Sequence, residues 1–145
     1  MLSILGDVVM PVIRGTDSRR TETPNGAMTT LASPTQGGSE YAVWRVDMSP
    51  GASGPRHAFD TDQVWTVLDG GARIDLADET VAVAAGDTVI MPAGAQRQVF
   101  ADADHGFAAI VCAPGNTRVY RRNPAAATPE CATGDGDKIL PNWIA

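Results

Sequence analysis

A histidine, a glutamine and an arginine carry the side chains of this chain best suited to acid–base and anion-binding chemistry. The stretch "GPRHAFDTDQVW" carries His57, one of only two histidines, followed by Phe59 and Gln63. Residues two apart on a strand share a face, so an H-x-H pair there would offer two imidazoles to a metal. With Phe59 in the second place, one imidazole remains. A neutral imidazole suits proton transfer near neutral pH, and a glutamine amide both donates and accepts hydrogen bonds. Arg97, in "QRQVF", is a permanent cation whose paired N–H donors can hold a carboxylate, enolate or phosphate oxygen. Brought together by a fold, the three side chains would make a proton-transfer site with an oxyanion clamp. Such a site is suited to isomerisation, enolisation, cyclisation or elimination next to a carbonyl.

Composition limits what can surround them. The chain has 145 residues, 43% hydrophobic and 19% charged, enough for one domain with a sizeable core. Its net charge of -6 argues against a nucleic-acid surface, which would need clustered Lys and Arg. The densest basic run, "RVYRR" from Arg118 to Arg122, is short and reads as a solvated strand end. His105, in "DADHG", sits among acidic residues and reads as a solvated loop histidine. Cys112 lies in an apolar run and Cys131 in a Pro/Gly/Ala tail, neither with metal-type spacing, and a reduced, cytoplasmic protein is the simplest expectation. Asp7 interrupts the first apolar stretch, and no run approaches a membrane span, so neither a signal peptide nor a membrane partner is expected.

The elements that must position the three residues are strands. Fifteen glycines and ten prolines punctuate the chain at the spacing of short strands in a sandwich or barrel, and helical periodicity is nearly absent. "YAVWRVDM" alternates, with Ala42, Trp44, Val46 and Met48 on one face. "QVWTVLDGG" is a second strand whose "DGG" is a hairpin signal, leading into "ARIDLADETVAVAAGD" as strand, turn and strand. "TVIMPAG", "RQVFA" and "GFAAIVCAPG" follow. Residues 14–40 hold one further strand, "AMTTLAS", expected to cover a barrel edge. Residues 123–137 are too poor in large apolar groups to fold alone, whereas Ile139, Leu140, Trp143 and Ile144 are expected to dock on the domain or on a partner.

On these strands the glycines and prolines fall in a pattern that resembles the two motifs of the cupin family. The first, G-x5-H-x-H-x3,4-E-x6-G, lies on Gly51, His57, Phe59, Gln63 and Gly70; the second, G-x5-P-x-G-x2-H-x3-N, lies on Gly86, Pro92, Gly94, Arg97 and Ala101. The resemblance implies an all-β fold, the double-stranded β-helix or cupin jelly-roll barrel, in one domain. The divisions expected are an N-terminal arm over 1–40, the barrel over 41–122 and a C-terminal tail over 123–145, with chains pairing as homodimers. The family's four metal-ligand positions read His57, Phe59, Gln63 and Arg97 here. Phe59 offers no lone pair and Arg97 sets a cation where the metal would be, so neither metal nor other cofactor is expected.

By strand parity Phe59, Gln63, Trp65 and Val67 face inward, while Val64, Thr66 and Leu68 face outward. His57, Gln63 and Arg97 are therefore the catalytic candidates, with Met48, Phe59, Trp65, Val67 and Val99 forming the wall for a small-molecule substrate. Three functions compete: a metal-independent isomerase, cyclase or lyase acting on a small apolar carbonyl compound; a non-catalytic binding or sensing barrel; and a metal-dependent oxygenase or lyase. These residues favour the first two over the third and barely separate the two; the enzyme is the expectation. A packed barrel, with Arg97 neutralised by Asp60 or Asp62, would leave no site.

Overall fold

The computed structural model describes residues 9–121 and 138–145. Ten strands follow a short 3-10 turn at Gly15–Asp17: β1 (Arg19–Thr23), β2 (Gly26–Ala32), β3 (Tyr41–Met48), β4 (Ala58–Phe59), β5 (Gln63–Leu76), β6 (Glu79–Ala84), β7 (Thr88–Met91), β8 (Arg97–Ala101), β9 (Phe107–Pro114) and β10 (Val119–Tyr120). Eight of them form one curled antiparallel sheet in the order β1-β2-β3-β9-β5-β6, with β7 and β8 also pairing with β5; β10 and β4 form a separate two-stranded ribbon. This is a jelly-roll barrel. Among the described residues no helix is long and apolar enough to cross a membrane.

The inner surface follows from simple alternation. Along β3 the residues Ala42, Trp44, Val46 and Met48 are buried and their neighbours are not. Along the first half of β5 the same holds for Gln63, Trp65 and Val67, while Val64 and Leu68 are 42% and 44% exposed. Opposite β3 runs β9, paired with it residue for residue from Tyr41↔Pro114 to Met48↔Phe107. Its Ala109 and Val111 are fully buried, small enough to let the two strands curve around the larger Trp44 and Trp65.

The expected hairpin at "DGG" does not form. β5 runs straight through it, pairing with β7 and β9 up to Gly70 and with β6 and β8 from Gly71 onward. A register shift between Val67 and Asp69 marks a bulge, and Gly70 has φ +65°, so the strand bends from one wall of the barrel to the other instead of reversing. A Cβ at Gly70 would meet the Gly106 carbonyl oxygen, so a larger residue could not take this place. The reversal comes later, at Ala77 and Asp78, between the paired Leu76 and Glu79.

The strand read in "AMTTLAS" is β2, which pairs with β1 on one side and β3 on the other. The C-terminal segment packs back on this barrel. Ile144 is fully buried, Leu140 and Trp143 are half-buried against the core, and Ile139 stays 60% exposed. Thr30 Oγ1 donates to the Trp143 carbonyl oxygen at 2.7 Å, and Ser33 Oγ and Arg19 Nη2 donate to that of Ala145. Cys131 and the segment 123–137 lie outside the described residues.

Candidate functional site

His57 and Arg97 lie forty positions apart in sequence and directly opposite in space. They form an isolated antiparallel bridge: the His57 N–H donates to the Arg97 carbonyl at 3.0 Å, and the Arg97 N–H to the His57 carbonyl at 2.8 Å. Residues that exchange both backbone bonds present their side chains on the same face. The Pro92–Gly94 turn delivers Arg97 to this position. Gly94, at φ +77°, donates its N–H to the Phe59 carbonyl at 2.8 Å, tying the start of β8 to β4.

Phe59 is the platform on which both functional groups rest. The Arg97 guanidinium carbon sits 4.2 Å from the centre of its ring, and the His57 ring meets it edge-on with centroids 5.0 Å apart. Gln63 holds the arginine from behind. Its Oε1 accepts from Arg97 Nη2 at 2.7 Å and from Trp65 Nε1 at 3.0 Å, which fixes the amide with Nε2 as its free end. Trp65 in turn stacks on Phe107 at 6.2 Å.

These groups border a cavity of about 500 Å³, within the range of small-molecule sites. Of the residues expected there, Met48, His57, Phe59, Trp65, Arg97 and Val99 line it. Gln63 and Val67 do not; both are buried behind the wall, Gln63 as the support of Arg97 and Val67 as packing where β5 passes toward the bulge. The structure adds Met28, Trp44, Val46, Val119, Tyr120 and Trp143 to the wall. Trp44 and Val46 were on the same alternating face as Met48, so the signal for them was present. Tyr120 belongs to the basic run read as a strand end, and Trp143, expected to dock from residues 138–145, forms part of the cavity wall.

Arg97 is only 2% exposed, yet no carboxylate pairs with it among the described residues. The two acids considered as partners are engaged elsewhere: Asp60 Oδ1 accepts the Arg118 N–H, and Asp62 Oδ1 accepts the Ala93 N–H. Burial pulls the guanidinium down to about 9, with Tyr120 opposing, so it remains a cation at neutral pH. For His57, burial is the main cause of a fall to about 4, and the Arg97 charge is a smaller one. His57 Nδ1 lies 2.6 Å from the Pro55 carbonyl oxygen, which can only accept, so the ring proton sits on Nδ1 and Nε2 carries the lone pair. His105 is remote from the cavity, exposed and bound to Asp102.

The donor set does not fit a transition metal. Phe59 has no ligand atom, Gln63 Oε1 already accepts two N–H donors, and Arg97 is a cation. Among the described residues no group of three His, Cys, Asp or Glu side chains gathers elsewhere.

Residues 44–113 match the family model described as Cupin domain, and this part of the chain is a small cupin domain. Its structure is similar to that of the polyketide cyclase RemF from Streptomyces resistomycificus, with TM-score 0.63 and 21% identity over 73% of this chain and 80% of that one. It is also similar to Rru_A2000 from Rhodospirillum rubrum, a cupin-2 domain, with TM-score 0.69, 15% identity and coverage of 83% and 86%. A variant of oxalate decarboxylase from Bacillus subtilis gives TM-score 0.69 and 18% identity over 88% of this chain but 37% of its own length. At these identities the likeness is one of fold. No curated protein matches the sequence.

Proposed function

We propose that this cupin barrel is a metal-independent enzyme of isomerase, cyclase or lyase type, acting on a small, largely apolar carbonyl compound in its lumen. The observation that carries the proposal is the His57–Arg97 pair: a neutral imidazole with Nε2 unprotonated, bridged to a cation that has no counter-ion among the described residues, both bordering one cavity. In the proposed step a C–H proton next to the substrate carbonyl passes to His57 Nε2. The electron pair it leaves moves onto the carbonyl oxygen as an enolate, held by the Arg97 N–H donors. Returning the proton from His57 to another atom completes an isomerisation; expulsion of a β leaving group instead completes an elimination. Gln63 orients Arg97 and takes no proton. Similarity to a polyketide cyclase supports the substrate class without assigning it.

One observation favours a non-catalytic barrel instead. A histidine held near 4 is a weak base at neutral pH, far from the match between base and working pH that proton transfer favours. Deuterium wash-in separates the two. Enolisable aryl ketones and 1,3-dicarbonyl compounds incubated with the protein in D2O should exchange their α-protons faster than in buffer. His57→Ala should lower that rate by about 10²- to 10⁴-fold with little loss of binding. Arg97→Gln should weaken both, and Arg97→Lys should restore part, since an ammonium keeps the charge without the planar fork. Binding of these compounds without any catalysed exchange would establish the binding barrel.

A further inference from the structure

The His57–Arg97 site holds more hydrogen-bond donors than the described residues can pair. Four buried side-chain polar atoms lack a partner among the described residues, and three belong to one cluster: Arg97 Nε, Arg97 Nη1 and Gln63 Nε2. All three are donors. Gln63 Oε1, the acceptor within this cluster, is already shared between Arg97 and Trp65. A buried polar group left unpaired is costly, and a buried charge left unpaired more so. Such a cluster calls for an acceptor from outside the chain.

Its charge follows from the wall. The chain carries 17 Asp and Glu against 11 Lys and Arg, yet no described acid lines the cavity. The polar lining consists of Thr23, Asn25, His57, Arg97, Tyr120 and Arg121. Of its cations, Arg97 is buried and Arg121 lies exposed in solvent. Most of the remaining wall is apolar, with Trp44, Phe59 and Trp65 as its broadest surfaces.

We propose that the lumen selects a monoanion, a planar and largely apolar molecule whose one carboxylate or enolate group meets the Arg97 guanidinium while its body lies against Trp44, Phe59 and Trp65. The inference rests on the lumen being the working site and names the class of compound it takes. A neutral carbonyl compound would supply an acceptor and leave the guanidinium charge unbalanced. A dianion would bring one more charge than the single buried cation can balance, among walls that cannot solvate it. A charge-assisted bond is roughly twice as strong as a neutral one, so acid should be preferred to isosteric amide by at least about tenfold.

Matched pairs of one-, two- and three-ring arenecarboxylates and their carboxamides test this with the full chain at pH 7.5, by quenching of tryptophan fluorescence and by thermal shift. In the unaltered protein at least one acid should bind at least about tenfold tighter than its amide. In Arg97→Met the preference should vanish, acid and amide binding about equally, and in Arg97→Lys it should be intermediate. Should Arg97→Met fail to fold, the acid-to-amide ratio of the unaltered chain and of Arg97→Lys decides. Equal or tighter binding of the amide would overturn monoanion selection and leave the lumen as the site. Survival of the preference in Arg97→Met would place the anion elsewhere and overturn it also. Failure of every acid and amide to bind would overturn both this inference and the lumen site beneath it.

Discussion

Replacing Arg97 by methionine should make the ligand-free protein more stable. Methionine has a similar reach, no charge and no donors, and it would sit on the Phe59 ring where the guanidinium now lies 4.2 Å from the ring centre. The arginine's fall from 12.5 to about 9 corresponds to roughly 5 kcal/mol disfavouring the cation in the fold at neutral pH. Against this stand a charge-assisted hydrogen bond to Gln63, about 2 kcal/mol, and the contact with Phe59, about 1 to 2 kcal/mol. The Gln63 Oε1 keeps its bond from Trp65, so the substitution creates no new unpaired acceptor. The net gain should be about 1 to 2 kcal/mol, in line with other buried charges replaced by apolar residues. For a chain of this size that is a rise in Tm of roughly 2 to 8 °C. Differential scanning calorimetry on exhaustively dialysed protein at pH 7 is the assay. A fall of several degrees would mean that Arg97 is paired and structural, and the account of the site as an anion receptor would fail.

Acid should destabilise the protein through His57. Its folded value near 4 lies below the unfolded 6.5, so its contribution is complete above pH 6.5 and is lost as pH falls toward 4, about 3 kcal/mol in all; urea midpoints at pH 7 and pH 4.5 should show this for the natural chain and much less of it for His57→Gln. Phe59→Ala removes the platform and should cost roughly 3 to 5 kcal/mol by chemical denaturation. Purified protein should carry well under one transition metal per chain, and chelator should leave Tm unchanged, because the His57, Phe59, Gln63 and Arg97 quartet lacks the ligands; elemental analysis giving one tightly bound metal would contradict this. We propose that chains pair through the outer face of β5 and β7, where Val64, Leu68 and Ile90 are 42%, 44% and 61% exposed. Light scattering should give a dimer that Ile90→Asp converts to a monomer.

Much of the barrel was legible because alternation and punctuation are local. The buried face of β3 and of the first half of β5 could be read from residue order alone, and the family resemblance that the glycine and proline skeleton carries implied His57 and Arg97 in one cavity. The bend at Gly70 was not legible. "DGG" is an equally good hairpin signal, and only the approach of the Gly106 carbonyl, from a segment distant in sequence, decides between reversal and bulge. Gln63 was expected to face the substrate; that it supports Arg97 from behind depends on two side-chain bonds that parity does not specify. Tyr120 and Trp143 reach the cavity through contacts between the barrel and later parts of the chain. Burial as the main cause of the low His57 value was also hidden, since a neighbouring cation can be named from the motif but a degree of enclosure cannot.

A crystal structure of the protein with the tightest-binding aromatic acid tests the central claim most directly. The account predicts the acid inside the lumen, one of its oxygens within about 3.2 Å of an Arg97 nitrogen, its rings against Trp44, Phe59 and Trp65, and His57 Nε2 turned toward it. A complex with the acid bound outside the cavity, or inside it with the carboxylate turned away from Arg97, would contradict the account.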